Sequence, residues 1–299
     1  MPSLMDKSIS SPQRLDTLIK QAREKLAAAK IDNPALDARL LAQYAFDLSH
    51  EDVIIKGSSS IENLEQISEF SDAVSRRIDG EPVSKIIGEK EFFGRLFMTS
   101  PDVLDPRPDT EILVEKALGI ISSKESPHIL DLGCGSGCVI ISLLCEHPKA
   151  RAVAVDISDK ALKVARQNAF IHGVIDRLSF VQGGWDSANA IAENTPFDLV
   201  VSNPPYIATD VVMTLEKEVL KYDPILALDG GSDGMDAYKN IFAQLNSLLH
   251  PQGRAAFEIG YDQGDAIKRL AESSRFEEIG LYEDLSGKPR VFVISTGKT

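Results

Sequence analysis

Between residues 13 and about 80, apolar residues recur at helical spacing. Leu15, Leu18, Ile19, Ala22 and Leu26 share one face of a first helix. Asn33-Pro34 pairs a capping residue with proline at the first helical position. Leu36, Leu40, Leu41 and Tyr44 continue that second helix, and Leu64, Ile67, Phe70, Val74 and Ile78 mark another. The Gly57-Ser58-Ser59-Ser60 run is a loop. The pattern predicts a small helical domain over residues 1–85, either a packing or dimerisation module or a substrate-docking domain. Residues 86–109 change character. The segment 89–97 alternates weakly around Phe92-Phe93-Gly94 and predicts a short hairpin, while Pro101, Pro106 and Pro108 exclude regular helix. This segment reads as a connector. From 110 to 299 the pattern becomes strand, helix, strand, helix. Apolar runs lie at 129–132, 152–155, 178–181, 199–201, 255–259 and 291–294, with helical stretches at 111–121, 139–145, 160–172, 237–249 and 266–272. Strands apolar on both faces and joined by helices predict an α/β domain built on a parallel sheet covered on both sides.

The 299 residues suit one large α/β domain and a smaller one, and 43% hydrophobic residues are enough for a real core. A formal net charge of −13 argues against a nucleic-acid partner, which normally meets a basic footprint. Three cysteines, Cys134, Cys138 and Cys145, form no C-x-x-C pair and point to a reducing compartment. Five scattered histidines show no metal-ligand spacing, so no metal site is expected. The stretch 1–12 is polar and unlike a signal peptide, and no apolar run reaches membrane-spanning length. The expectation is a cytoplasmic protein without a membrane partner.

The first chemical constellation is Asp131-Leu132-Gly133-Cys134-Gly135-Ser136-Gly137, placed between a predicted strand and a predicted helix. Glycines there let the backbone turn sharply and approach a ligand closely. The dinucleotide fingerprint G-x-G-x-x-G would need glycine at 138, where Cys138 stands, and no Walker-type Gly-Lys-Ser or Gly-Lys-Thr occurs. A ligand without pyrophosphate fits better, and the acid-led G-x-G-x-G loop looks like motif I of S-adenosylmethionine-dependent methyltransferases. Asp156 ends the next strand, about 20 residues on, where an acid accepts ribose hydroxyls. It could instead cap the following helix, but Ser158 or Asp159 can fill that role and leave Asp156 free. Cys134 and Cys138, four apart, read as small packing residues where helix meets sheet. Trp185, the single tryptophan, follows a strand and two glycines; core packing and adenine stacking are both open to it.

The second constellation is Asn203-Pro204-Pro205-Tyr206, directly after a predicted strand. Two prolines fix φ and remove two backbone donors, which leaves carbonyl acceptors beside the Asn203 side-chain oxygen. Such acceptors suit a planar NH2 group, and Tyr206 could cover its flat face. An amide nitrogen is a poor nucleophile because its lone pair is delocalised. Gripping both hydrogens favours an attacking geometry toward a sulfonium methyl, and orientation can contribute about 7–11 kcal/mol. Acceptor oxygens also favour the positive charge that grows on nitrogen. As a bare turn at a strand end the motif would be only suggestive; its position downstream of the glycine loop and Asp156 gives it weight.

Taken together, the chain resembles the protein-(glutamine-N5) methyltransferases that modify peptide-chain release factors, the HemK or PrmC type. The resemblance runs through Glu91-Phe92-Phe93-Gly94, Pro106-Arg107-Pro108-Asp109-Thr110-Glu111, residues 131–137, Asp156, Trp185 and residues 203–206. It continues through Asp229-Gly230-Gly231-Ser232-Asp233-Gly234, Glu258-Ile259-Gly260 and Asp284-Leu285-Ser286-Gly287-Lys288-Pro289-Arg290-Val291. The Asn-Pro-Pro-Tyr motif alone is shared with N6-adenine methyltransferases of DNA and RNA. The resemblance implies a class I methyltransferase fold, a Rossmann-like doubly wound sheet with a small N-terminal helical domain that helps dock the release factor. It implies that Asp131, Gly133, Cys134, Gly135, Ser136, Gly137, Asp156, Trp185 and Asn203 contact S-adenosylmethionine, with S-adenosylhomocysteine as product. Asn203, Pro204, Pro205 and Tyr206 would hold the glutamine of the Gly-Gly-Gln loop of a class-1 release factor. Gly184 stands where the family commonly has an acid, and Asp105 where it more often has an apolar residue. Arg107 and Asp109 would form an active-site wall or a structural clamp. The alternatives are an N6-adenine methyltransferase, disfavoured by charge and by the lack of a basic target-recognition insert, and a nucleoside-binding scaffold without turnover. A nicotinamide dehydrogenase is disfavoured by the missing third glycine.

Overall fold

The computed structural model describes residues 12–187 and 196–296, so the polar stretch at 1–12 falls outside it except for Pro12. The chain divides into two compact units, residues 1–88 and 89–299. The first unit holds α1 (Leu15–Ala28), α2 (Pro34–Phe46), α3 (His50–Ile55), α4 (Leu64–Ile78) and α5 (Val83–Ile87). A two-residue antiparallel pair, Gln13–Arg14 with Ser60–Ile61, ties the segment before α1 to the one before α4, so the unit is not purely helical. Leu15, Leu18, Leu26, Leu41, Ile67 and Phe70 form its core. The apolar stripes are shifted from those predicted. Leu36, Tyr44, Leu64 and Ile78 are exposed, and in α2 the buried positions include Ala38, Ala42 and Ala45. Small residues join Leu41 and Phe46 in facing the bundle there, while Leu36 and Tyr44 sit on the rim. The short α3 shows no periodicity because only Val53 is buried; a reciprocal Ser49–Asp52 capping box starts it.

The second unit opens with the hairpin β1 (Glu89–Phe92) and β2 (Arg95–Met98), followed by α6 (Glu111–Ile121). Strands β3 (His128–Leu132), β4 (Arg151–Asp156), β5 (Leu178–Gln182) and β6 (Phe197–Ser202) then alternate with α7 (Cys138–Glu146) and α8 (Asp159–Ile171). After them come α9 (Thr209–Val212), α10 (Lys217–Tyr222), α11 (Asp236–Phe242) and α12 (Leu245–Leu248). The chain ends with β7 (Leu249–Glu258), α13 (Gly264–Ser273), β8 (Phe276–Glu283) and β9 (Pro289–Thr296). The main sheet has seven strands in the order β8-β9-β7-β6-β3-β4-β5. One face buries α6, α7 and α8 through residues such as Leu113, Ile140 and Leu162. The other buries α11, α12 and α13 through Tyr238, Leu245 and Ile267.

The sheet is mixed, not parallel throughout. Strands β3 to β7 run parallel, but β9 lies antiparallel to both β7 and β8. A short turn at 284–288 joins β8 to β9, and a connection that short can only produce antiparallel neighbours. In it Asp284 accepts backbone hydrogen bonds from Ser286 and Lys288. Strand β8 escaped the sequence pattern because it is a largely exposed edge strand, Glu277 and Glu278 among its residues, without an apolar run. The helix predicted over 237–249 breaks at Ala243–Gln244 into α11 and α12, and Leu249 already belongs to β7. Leu245 and Leu248 remain buried across the break, which preserves the apolar spacing without the continuous helix.

Candidate active site

Chain order reverses at β3, whose neighbours are β4 and β6. In such a sheet the crevice outside the carboxyl ends of the strands, beside the reversal, is where a ligand fits. The loops after β3, β4, β5 and β6 all open there, and they carry the glycine loop, Asp156, Trp185 and Asn203. Together they line a cavity of about 470 Å³, within the range typical of small-molecule sites.

At the nucleoside end, Gly133, Gly135 and Gly137 all have positive φ, +74°, +54° and +79°. A side chain at Gly133 would press on the Trp185 ring at 3.3 Å, so that glycine is required by both conformation and space. Trp185 is half-buried against the core and lines the cavity. The Gly133 and Cys134 amides donate to the Val155 carbonyl, tying the loop to the end of β4. Asp156 is not the helix cap: Ser158 caps α8, its hydroxyl accepting from the Ala161 amide at 3.2 Å. Instead Asp156 Oδ2 accepts from the Gly135 amide and Oδ1 from the Ser158 amide, each at 2.9 Å. A carboxylate oxygen has a second lone pair, so both remain able to accept ligand hydroxyls. Burial raises the Asp156 pKa despite those two bonds. Asp131 lies deeper, 2% exposed, with Oδ2 unpartnered; burial first and the neighbouring Asp156 second push its pKa up to about 8. Cys134 and Cys138 are buried free thiols in the cavity lining, both with pKa values raised chiefly by burial.

At the other end, Asn203 and Pro205 line the cavity, whereas Pro204 and Tyr206 are not part of that lining. Asn203 Nδ2 donates to Thr110 Oγ1 at 3.2 Å, leaving Oδ1 as the free end of the carboxamide. Tyr206 turns toward the sheet: its hydroxyl donates to Glu258 Oε1 at 3.3 Å. Burial raises the Tyr206 pKa, and the Glu258 charge adds to it. Arg107 and Asp109 do not pair with each other. Arg107 lines the cavity and bonds Asp223 at 2.7 Å, while Asp109 meets Arg290 at 3.1 Å. Arg107 is thus part of the wall, and Asp109, itself half-exposed, shares the Arg290 guanidinium with Asp284 in a clamp. Asp105 is buried and accepts from the Thr99 hydroxyl, which accommodates an acid at that position.

Four further residues hold the site and went unread in the sequence as such. Asn168, fully buried on α8, donates to Ser136 O in the glycine loop and bonds both the amide and the carbonyl of Met98. Gln263 donates to the Tyr206 and Gly234 carbonyls at 3.0 and 3.1 Å. Thr110 and Glu258 lie behind Asn203 and Tyr206. Thr110 and Glu258 were visible only as members of the 106–111 and 258–260 segments, and Glu258 also as a lone acid inside an apolar run. Among the described residues no cluster of metal-ligating side chains occurs.

Comparison with known proteins bears on this geometry. Residues 17–88 match the PrmC N-terminal domain and residues 123–285 a methyltransferase domain. The release factor glutamine methyltransferase of Caulobacter vibrioides is 39% identical over 278 residues, covering 92% of this chain and 95% of that protein. The chain belongs to the release factor glutamine methyltransferase family. The Agrobacterium fabrum member is 37% identical, with 90% of this chain and 93% of the other covered. A solved structure of the hMettl16 catalytic domain, in complex with a MAT2A 3'UTR hairpin, shares the fold at a TM-score of 0.53 and 13% identity, over 78% of this chain and 82% of that one. The fold is the class I methyltransferase fold, and the protein is a methyltransferase.

Within this family fold, Asp156→Ala tests the nucleoside end. Two backbone amides lose their acceptor, and ribose hydroxyls placed against Asp156 would lose one too, so on that reading the dissociation constant for S-adenosylmethionine is expected to rise at least about tenfold, each lost bond to a charged group being worth about 1.5–3 kcal/mol. Isothermal titration calorimetry reads this directly. An unchanged constant would leave Asp156 only the loop-bracing role seen in its bonds to Gly135 and Ser158.

Proposed function

We propose that the protein transfers a methyl group from S-adenosylmethionine to N5 of the glutamine in the Gly-Gly-Gln motif of class-1 peptide-chain release factors. The observation that carries this reading is the free acceptor end of Asn203, set at the sheet's reversal point across one cavity from the glycine loop and Asp156. Relatives such as those of Caulobacter vibrioides and Agrobacterium fabrum, both release factor glutamine methyltransferases, support the substrate class. S-adenosylmethionine supplies an electrophilic sulfonium methyl when bound. Gly133, Gly135 and Gly137 would let the backbone approach it, Asp156 would accept from its ribose hydroxyls, and Trp185 would lie beside its adenine. Asn203 Oδ1 and the proline carbonyls would accept both hydrogens of the substrate NH2. That grip orients the nitrogen and favours the positive charge that develops on it. Tyr206, anchored to Glu258, supports the loop from behind. The residue 1–88 unit would dock the release factor, and the cytoplasm is its proposed place of action. No helix among the described residues is long and apolar enough to cross a membrane.

The test is incubation of the purified chain with radiolabelled S-adenosylmethionine and unmodified class-1 release factor, with the label located by peptide mass spectrometry. A single methyl on the Gly-Gly-Gln glutamine is expected. Label on adenine of an oligonucleotide, and none on the release factor, would replace this reading with a nucleic-acid one.

A further inference from the structure

Strands β3 and β6 carry the two halves of the site and lie side by side at the sheet's reversal. Their ladder pairs Ile129 with Leu199, Leu130 with Val200 and Asp131 with Val201, and ends there. Each strand runs one residue further with its other neighbour. Leu132 still pairs with Val155 on β4, and Ser202 with Phe257 on β7. The crevice therefore starts between Leu132 and Ser202. The next residue on one side is Gly133, where the glycine loop begins, and on the other Asn203.

A side-chain bond crosses that gap. Ser202 is fully buried, and its hydroxyl donates to the Leu132 carbonyl at 2.5 Å. The Gly133 amide belongs to the same peptide group and donates to the Val155 carbonyl on β4 at 2.9 Å. The peptide that opens the glycine loop is thus held on both sides, by β6 through its oxygen and by β4 through its nitrogen. A peptide group is planar, so holding both ends fixes the direction in which the loop leaves the sheet. A buried hydroxyl costs free energy unless it is bonded, and Val200 and Val201 before it on β6 are buried and apolar. The proton of Ser202 is spent on Leu132, and the residue that spends it stands next to Asn203.

We infer that Ser202 is a positioning residue for methyl transfer: its hydroxyl ties the loop that holds the methyl donor to the loop that holds the acceptor nitrogen, and so sets the gap between them. This rests on the reading of Asn203 as the acceptor for the substrate amide and of the glycine loop as part of the donor's site. In-line displacement needs the nitrogen close behind the methyl carbon, on the line of the breaking carbon–sulfur bond. The nitrogen lone pair forms the new bond as the carbon–sulfur pair returns to sulfur, and the nitrogen then gives up one proton to water. An error in that line is not corrected within either loop, because each is fixed on its own side, Asn203 to Thr110 and Gly135 to Asp156. Without the Ser202 bond the two strand ends can splay while both sets of contacts stay intact. Binding on each side survives, and mutual alignment is lost.

In the experiment, enzyme well above its dissociation constant is loaded with one equivalent of radiolabelled S-adenosylmethionine. It is then mixed with saturating unmodified class-1 release factor, and the first turnover is followed. The rate constant reports alignment, and the amplitude of that turnover reports the fraction of enzyme that is folded and loaded. Isothermal titration calorimetry gives the dissociation constant for S-adenosylmethionine. Ser202→Ala is expected to lower the rate constant about 30-fold, with full amplitude and a dissociation constant within about twofold of wild type. Ser202→Cys keeps the shape of the side chain but donates weakly, and its rate constant is expected to fall at least about tenfold.

A wild-type rate constant in Ser202→Ala, at any amplitude and beside a slow Asn203→Ala, would overturn this inference and leave the acceptor role of Asn203 standing. A wild-type rate constant in Asn203→Ala would instead overturn the reading beneath it. Wild-type speed in Ser202→Cys would show that shape and not the hydroxyl matters, and the inference would fall. It would fall equally if the dissociation constant in Ser202→Ala rose as much as the rate constant dropped, since the hydroxyl would then serve cofactor binding.

Discussion

Asn203→Ala is expected to lower kcat by about 100- to 1,000-fold, the usual cost of removing one preorganised group that stabilises transition-state charge. The affinity for S-adenosylmethionine should change by less than about threefold, because the glycine loop, Asp156 and Trp185 are untouched. The split follows from position. Asn203 sits after β6, across the cavity from Asp156, and its carboxamide is already committed at one end to Thr110. On the proposed function its free end meets the reacting group, and alanine removes that acceptor while leaving the two prolines that shape the turn. Single-turnover methylation with saturating donor isolates the effect. A rate within a few-fold of wild type would mean that the proline carbonyls alone hold the amide, and the mechanism would have to be rebuilt on the backbone.

The sequence revealed the residues of this site more readily than their support. Asp156, Trp185 and Asn203 each follow or end an apolar run and Asp131 stands one residue from the end of another, so strand alternation alone brings them to one edge of the sheet. The glycine loop was legible because its spacing is constrained by backbone conformation. Thr110 was different. It meets Asn203 from 93 positions away, and a threonine before a helix looks like an ordinary cap. The direction of Tyr206 was equally hidden: whether its ring faced the cavity or the sheet depended on Glu258, 52 positions on. Strand β8 was missed because an exposed edge strand needs no apolar run, and with it the antiparallel end of the sheet. In the helical unit the alanine-lined contacts of α2 carried no hydrophobic signal strong enough to fix the phase of the stripe.

Gly234→Ala is expected to abolish most activity as well, by a different route. Gly234 has φ +70°, and a Cβ there would strike the Tyr206 carbonyl oxygen and approach Gln263 Nε2 at 2.7 Å. Its neighbour Gly230 is as tightly placed, with the Pro205 carbonyl oxygen 2.7 Å from the site of a Cβ. The segment is also bonded to the same loop, since the Gly230 amide donates to Ile207 O at 2.8 Å and Ile207 N to Leu228 O at 3.0 Å. A methyl at Gly234 cannot be relieved by a rotamer change, because what it meets is backbone held by Gln263. The loop must shift, and a displacement of about 1 Å can cost about 100-fold in rate. Gly94→Ala provides the control. It has the same φ of +70° but nothing within 4 Å of the added carbon, so it carries the conformational strain without the collision. Both variants should lose about 1–3 kcal/mol of stability from the left-handed backbone, read by urea unfolding, but only Gly234→Ala should lose kcat. Equal activity in the two would show that the glycine segment packs beside the Asn-Pro-Pro-Tyr loop without holding it in place.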